Sequence, residues 1–212
     1  MSAKKREAIF IRHGQSLANI GQWRGGFAEA PLTALGEEQA RALAETWAFT
    51  PCRIMVSPYV RTRQTAAPTI ARFPDVPVEF WDIHEFTFWD PAFWGEIRPE
   101  DDLEEVARYW RVADPEYRHG SEAEGTRAET FAELLERTEE TLKKLEAMEC
   151  DAPVLLFTHG HFMQALRHTL KWPEWTKAEK MANFYAYDQE NRVMNTELIR
   201  VVWDEQQKWQ LV

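Results

Sequence analysis

Short runs that are apolar at every position alternate along this chain with longer stretches in which apolar residues recur every three or four positions. The first pattern suits strands buried on both faces, and the second suits helices with one buried stripe. Strand-like runs fall at Ala8–Ile11, Arg53–Val56, Val78–Trp81 and Val154–Phe157. Helical spacing covers Ala34 to about Ala48 behind Thr33 as N-cap, and Leu35, Ala40, Leu43, Ala44 and Trp47 form its apolar stripe. It resumes after Ser57-Pro58, with Ser57 as cap and Pro58 at the first helical position. Further helices are expected from about Pro99 to Val112, from a Thr126-x-x-Glu129 capping box to about Met148, and over Phe162–Leu170. Two late runs, Phe184–Tyr187 and Thr196–Trp203, read as strands paired antiparallel at a sheet edge. The alternation of strand and helix predicts an α/β domain.

Two of the apolar runs end in the same way. The first stops at Arg12-His13-Gly14, followed by Gln15, Ser16 and Asn19; the other stops at Thr158-His159-Gly160. Ligands of open α/β sheets sit beyond the carboxyl ends of the strands, where these breaks fall. Histidine is the side chain whose ordinary pKa lies closest to neutrality, so each break presents a group suited to proton or phosphoryl chemistry. The helix opening near Pro58 carries Arg61 in its first turn, where free N–H groups favour an anion. Thr65 shares the face of Arg61, and Arg63 points away.

At 212 residues the chain fits one domain, 1–212, with an insertion at 86–125. That insertion holds eleven acidic residues against four arginines and is rich in aromatic rings. Two readings of the rings stand: a lid over the site, or a small core under a long loop. The net charge of −10 argues against nucleic acid or an acidic membrane as partner. No apolar stretch approaches the ~20 residues that span a bilayer, and no leader-like apolar segment precedes the first strand. A cytoplasmic protein is expected. Cys52 and Cys150 form neither a framework nor a metal spacing and are expected to stay reduced. His159-Gly160-His161 is the one H-x-H pair, but the other histidines add no ligand spacing to it, so no metal and no cofactor is expected.

Arg12-His13-Gly14-Gln15-Ser16 with Asn19 resembles the R-H-G-x-S/T-x-x-N signature of the histidine phosphatase superfamily, whose fold is phosphoglycerate mutase-like. Pro31-Leu32-Thr33 with Gly36, Gln39 and Ala40 resembles its P-L-T-x-x-G-x-x-Q-A stretch. Ser57-Pro58 with Arg61 and Thr65, and the late His159-Gly160 pair, follow in the family's order. The resemblance implies a three-layer α/β sandwich with a mostly parallel central sheet, helices on both faces, and a helical or loop insertion over the site. It implies a nucleophilic His13 that becomes a phosphohistidine, with Arg12, Arg61 and a protonated His159 around the phosphoryl oxygens. Asn19 and Gly160 would add phosphate contacts. Glu85 fits the family's proton donor by position, with Asp82 and Glu96 as substitutes. Trp23, Arg24 and Tyr59, together with the 86–125 insertion, are expected to set specificity. The implied activity is hydrolysis of a small phosphorylated metabolite with inorganic phosphate as product, and no metal takes part. A phosphoglycerate mutase and a phosphate-binding protein without catalysis are the alternatives. Glu129 stands where the family often carries a site-touching Glu, but its own pattern reads first as a helix cap. The sequence does not give the substrate's identity or the oligomeric state.

Overall fold

The computed structural model describes residues 6–90, 103–119, 128–204 and 208–212. Within them, strands β1 (Glu7–Arg12), β2 (Arg53–Val56), β3 (Val78–Phe80), β4 (Val154–Thr158), β5 (Leu198–Trp203) and β6 (Trp209–Leu211) form one sheet in the order β3-β2-β4-β1-β5-β6. The first four strands in that order run parallel, and β5 and β6 are antiparallel to their neighbours. Helices α1 (Ala34–Glu45) and α2 (Val60–Arg72) bury Leu43 and Ala66 with Trp47 against Ile9, Ile11, Ile54 and Phe157 on one face. On the other face α3 (Leu103–Val112), α4 (Phe131–Glu146), α5 (Gly160–Lys171) and α6 (Lys177–Glu190) pack over Phe10, Met55 and Leu156. The strand interiors are covered on both sides, which is why β1 and β4 are apolar at successive positions. This is the three-layer sandwich implied by the sequence.

Several elements differ from expectation. Leu35, placed in the buried stripe of α1, is 49% exposed, whereas Trp47 is buried just beyond the helix. The cap of α2 is Tyr59, not Ser57, whose hydroxyl is turned to the site instead. The N-cap of α4 is Thr130, four residues later than expected, in a capping box with Glu133; Thr126 lies outside the described residues. Phe184–Tyr187 is part of α6, opened by a Thr176–Glu179 capping box, and is not a strand. The partner of the 196–203 run is β1 on one side and β6 on the other.

Of the 86–125 insertion, residues 91–102 and 120–127, Glu96 among them, lie outside the described residues. The described rings do not stand over the site. Phe86, Phe88, Trp89, Tyr109 and Trp110 are buried in the cluster that also holds Phe131 and Phe184. Their role is the core reading rather than the lid reading. Among the described residues no helix is long and apolar enough to cross a membrane.

The cysteines were expected to be free, and they are bonded to each other. The β2–β4 pairing sets Arg53 opposite Val154. This draws the residues just before those strands together, and Cys52 and Cys150 form a disulfide with Cα atoms 5.8 Å apart. A spacing of 98 residues hides such proximity from any reading of the linear chain. Disulfides persist mainly in oxidising compartments, so this bond stands against thiols kept reduced in a cytoplasm. Closing so long a loop contributes about 2–4 kcal/mol. Thiol titration of the denatured, unreduced protein should therefore find no reactive thiol, and reduction should lower Tm by about 5–10 °C. Two thiols titrating, with a Tm indifferent to reductant, would show that the bond does not form.

Candidate active site

The site is built where β1 and β4 end side by side. Arg12 pairs with Thr158 in the parallel ladder, and the His13 N–H donates to Thr158 O at 3.0 Å, so the next residues, His13 and His159, project from adjacent strand ends. Their ring centroids are 5.2 Å apart. Both rings are almost wholly buried. His13 Nδ1 donates to Gly14 O at 2.7 Å, and Arg61 Nε donates to His13 Nε2 at 3.1 Å. Those partners fix the tautomer: the proton sits on Nδ1 and the lone pair on Nε2. Ser57 Oγ lies 2.9 Å from His159 Nε2, while His159 Nδ1 is buried with no hydrogen-bond partner.

The loop carrying His13 is pressed against the first turn of α1. A Cβ on Gly14 would lie 2.6 Å from Gly36 O, and one on Gly36 would lie 2.0 Å from Gln15 O, so neither position tolerates a side chain. Gln39 Oε1 accepts the Gln15 N–H at 2.8 Å, and Thr65 Oγ1 accepts the Gly14 N–H at 3.0 Å. The Pro31–Ala40 stretch therefore caps its helix, through Thr33 and the Gly36 N–H, and also holds the loop that carries His13.

Arg61 is 2% exposed, yet among the described residues neither it nor Arg12 forms an ion pair with a carboxylate. Its guanidinium donates to Phe27 O at 2.7 Å and lies between two rings, 4.5 Å from the Phe27 centroid and 5.0 Å from that of Tyr59. Arg12 donates from one terminal nitrogen to Val193 O, and its buried Nε has no partner. A Cβ on Gly160 would stand 3.4 Å from that Nε, so glycine keeps it accessible at the N-terminus of α5. Burial lowers both arginines, Arg61 to about 10, which leaves them charged at neutral pH. Burial first, then Arg61 and Arg12, pushes His13 well below its ordinary value. Burial and then Arg61 do the same to His159, so this ring is neutral on its own and not protonated as expected. A dianion placed among these groups opposes the cations that depress it.

Glu85 lies at the end of the segment after β3 and lines the same cleft as Arg12, Asn19 and Gly160. Its Oε1 accepts from the His161 N–H of α5 at 2.9 Å and from the Phe86 N–H at 3.1 Å, leaving Oε2 for other chemistry. A buried pair clamps that segment. Arg137 donates to both oxygens of Glu129 at 2.7 and 2.9 Å, and to Asp82 O and His84 O, each at 3.1 Å. The Glu129 N–H in turn donates to Thr87 O at 2.8 Å. Glu129 is thus an ion-pair partner and not a cap. Asn19 Oδ1 accepts from the Ser16 N–H at 3.0 Å and from Asn195 at 3.2 Å, which leaves its amide N–H groups as donors. Asp82 sits by His84, 3.0 Å away, and does not line the cleft.

The expected specificity residues divide. Tyr59 is at the site, its ring 5.0 Å from His159 and stacked on His84 at 5.6 Å. Trp23 and Arg24 do not line the cleft; the Trp23 indole donates to Gly26 O at 2.9 Å on its own loop, and Arg24 is exposed. Residues 188–195, which the sequence reading left out, supply one wall of the cleft through Asp188, Arg192 and Asn195.

The family model of the histidine phosphatase superfamily (branch 1) matches residues 8–211. The chain belongs to that superfamily. A curated relative, 2,3-bisphosphoglycerate-dependent phosphoglycerate mutase 2 of Gloeobacter violaceus, is 26% identical over 164 residues, covering 74% of this chain and 72% of its own. Among solved structures, the mycobacterial glucosyl-3-phosphoglycerate phosphatase in complex with inorganic phosphate superposes with a TM-score of 0.70 at 25% identity, over 98% of this chain and 95% of its own. The alpha-ribazole phosphatase of Shigella flexneri gives 0.71 at 22% identity, over 97% and 94%.

Two outcomes are expected from this geometry. Folded pKa values depressed below 6.5 mean that the unfolded chain binds more protons in mild acid, so stability is full above about pH 7 and falls as pH drops through the unfolded value. Denaturant melts should show a loss of up to about 1.4 kcal/mol per pH unit per ring below pH 6.5, reduced in His159→Gln. A flat profile from pH 7 to 5 would mean that these rings titrate normally. Arg137→Met leaves the Glu129 carboxylate uncompensated and should cost about 3–5 kcal/mol, most of it recovered in Arg137→Met/Glu129→Leu. A single variant as stable as the parent would remove the clamp.

Proposed function

We propose that this protein is a phosphomonoesterase that works through a phosphohistidine on His13 and needs no metal ion. The observation that carries this reading is the pairing of a buried Arg61 and an Arg12 whose Nε is buried, neither ion-paired to a carboxylate among the described residues, with a neutral imidazole of fixed tautomer. Buried cations without a counter-charge are costly, and a phosphoryl dianion supplies the charge they lack. His13 Nε2 attacks phosphorus as the ester oxygen departs with a proton from Glu85 Oε2. Glu85 then takes a proton from water, whose oxygen attacks phosphorus and releases Nε2 with inorganic phosphate. Arg12 Nε, Arg61 and His159 Nδ1 are the donors for the three peripheral oxygens, with Asn19 and the first N–H groups of α5 beside them. Preorganised donors of this kind contribute about 3 kcal/mol each to the barrier.

Hydrolysis is favoured over mutase chemistry by charge. A bisphosphate needs a second group of cations, and the 86–125 segment carries eleven acids against four arginines. The names of the structural relatives, two phosphatases, support the same reading. A protein that only bound phosphate would have no use for a proton-carrying group at Glu85.

An alkaline, denaturing quench during turnover of p-nitrophenyl phosphate, with chelator present, should trap base-stable, acid-labile phosphate on His13. His13→Ala should abolish both adduct and turnover. Glu85→Gln should cost at least 100-fold with an alkyl phosphate and far less with the aryl ester, whose leaving group departs unprotonated. Turnover that survives His13→Ala, or that disappears with chelator, rejects the mechanism.

A further inference from the structure

The cleft continues past the groups that grip phosphate. It has a volume of about 390 Å³, within the range of small-molecule sites. Arg12, Asn19, Glu85 and Gly160 occupy one part, and the rest is walled by Gln15, His161, Asp188, Arg192 and Asn195 with Val193 and Met194. We infer that this outer part is a leaving-group subsite for an uncharged, hydroxyl-rich alcohol, which makes the substrate a phosphorylated sugar or other polyol. The inference rests on the phosphatase reading above and adds to it the chemistry of the departing group.

Three observations carry it. The first is charge. Asp188 and Arg192 bring one charge of each sign, so the outer part is neutral overall, and Asp188 together with Glu85 opposes a second phosphate. Arg192 makes no ion pair or hydrogen bond among the described residues, and Asp188 accepts only the Gln164 amide, at 2.9 Å, with His161 Nε2 3.8 Å away. Donor and acceptor capacity is therefore spare in the same cleft, as a ring of hydroxyls requires. The second is the character of the other lining groups. Among the described residues no phenyl, phenol or indole ring lines this cleft, so an aromatic alcohol finds none of them to stack on there. An alkyl chain would leave the carboxylate, guanidinium and amides desolvated without partners, which is the penalty by which polar sites reject apolar analogues.

The third is rigidity. The 191–197 turn is held from several directions: Gln164 and Arg167 donate to Asn191 O at 2.8 and 3.0 Å, and Arg167 pairs with Glu197 at 3.0 Å. Glu197 accepts the Met194 N–H at 2.6 Å, and Asn195 donates to His13 O at 3.0 Å. Thr196 is kept at a φ of +61°, a left-handed conformation that β-branched residues rarely adopt. Its N–H donates to Arg12 O at 3.0 Å. Backbone strain of that kind persists only where the surroundings over-determine it, and it accompanies ligand sites. The wall is preformed and shares its anchor points with Arg12 and His13.

The test compares kcat/KM for a panel of phosphorylated polyols (hexose 6-phosphates, pentose 5-phosphates, glycerol phosphate) with n-hexyl phosphate, a primary ester without hydroxyls. The best polyol should exceed the hexyl ester by at least tenfold. Arg192→Ala, at an exposed position that does not threaten folding, and Asp188→Asn, which keeps size and one acceptor, should each reduce that ratio at least fivefold, mainly through KM for the polyol. If p-nitrophenyl phosphate is hydrolysed through His13 but the hexyl ester equals the polyols, or neither variant moves the ratio, the subsite is overturned and the phosphatase reading stands. If no ester is hydrolysed, the phosphatase reading fails and this inference falls with it.

Discussion

The parallel pairing of β1 with β4, with Arg12 opposite Thr158, is the constraint from which the site follows. Side chains beyond the ends of two hydrogen-bonded strands are separated by little more than the strand spacing of about 4.8 Å. Residues 146 positions apart in the chain are thereby delivered as neighbouring imidazoles, their centroids 5.2 Å apart. A shift of one residue in that register would send one of the two rings to the opposite face of the sheet. The ladder's fidelity comes from the apolar side chains on both faces of β1 and β4, so the core sets the geometry of the chemistry.

Having brought the rings together, the fold surrounds them with positive charge and excludes water. The consequence is an imidazole that remains a free base well into mild acid, where an exposed histidine would be protonated. The arginines that depress it are the groups to which we assign the phosphoryl oxygens. In the proposed mechanism a single arrangement therefore keeps the nucleophile unprotonated and stabilises the charge transferred to it. The cost is borne in stability. Desolvated arginines with no ion-pair partner among the described residues and a turn held at positive φ are unfavourable on their own, and the compensation lies in the clamps around them: Gly14 against Gly36, Gln39 on Gln15, and the Arg137–Glu129 pair behind Glu85.

Much of this was legible in the chain because strand ends and the residues following them are local features. The apolar runs marked β1, β2 and β4 nearly residue for residue, and Arg12, His13, Arg61 and His159 follow directly from where those runs and the next helix begin. What was not legible depended on choosing between overlapping local patterns or on distant pairing. Residues 126–133 contain two superimposed capping boxes, and only Thr130–Glu133 leaves Glu129 available to Arg137 while keeping Phe131, Leu134 and Leu135 on one buried face. The aromatic run at 184–187 favours a strand by composition, but Thr176–Glu179 and the spacing of Met181, Phe184 and Asp188 carry a helical period that outweighs it. The rings after Glu85 suggested a lid because a linear reading cannot tell which side of the sheet they cover. The disulfide was invisible for the same reason as the histidine pair would have been without its motifs, since only the sheet brings its ends together.

The direction of β5 explains why the far end of the chain belongs to the site. A parallel neighbour of β1 contributes the loop that follows it, as β4 contributes His159 and Gly160. An antiparallel neighbour contributes the loop that precedes it. With Ile11 opposite Leu198, the turn before β5 arrives at the carboxyl end of β1, where Val193 O accepts from Arg12 and Asn195 donates to His13 O. Switching the sheet from parallel to antiparallel at β5 thus recruits residues 188–195 without any change in the parallel strands that carry His13 and His159. His13 and His159 are held by the register between β1 and β4, whereas in the wall Arg192 makes no hydrogen bond among the described residues and Asn195 donates to His13 O. In the proposed reading the alcohol is therefore tuned at Arg192 without disturbing that register, while a change at Asn195 reaches the loop that carries His13.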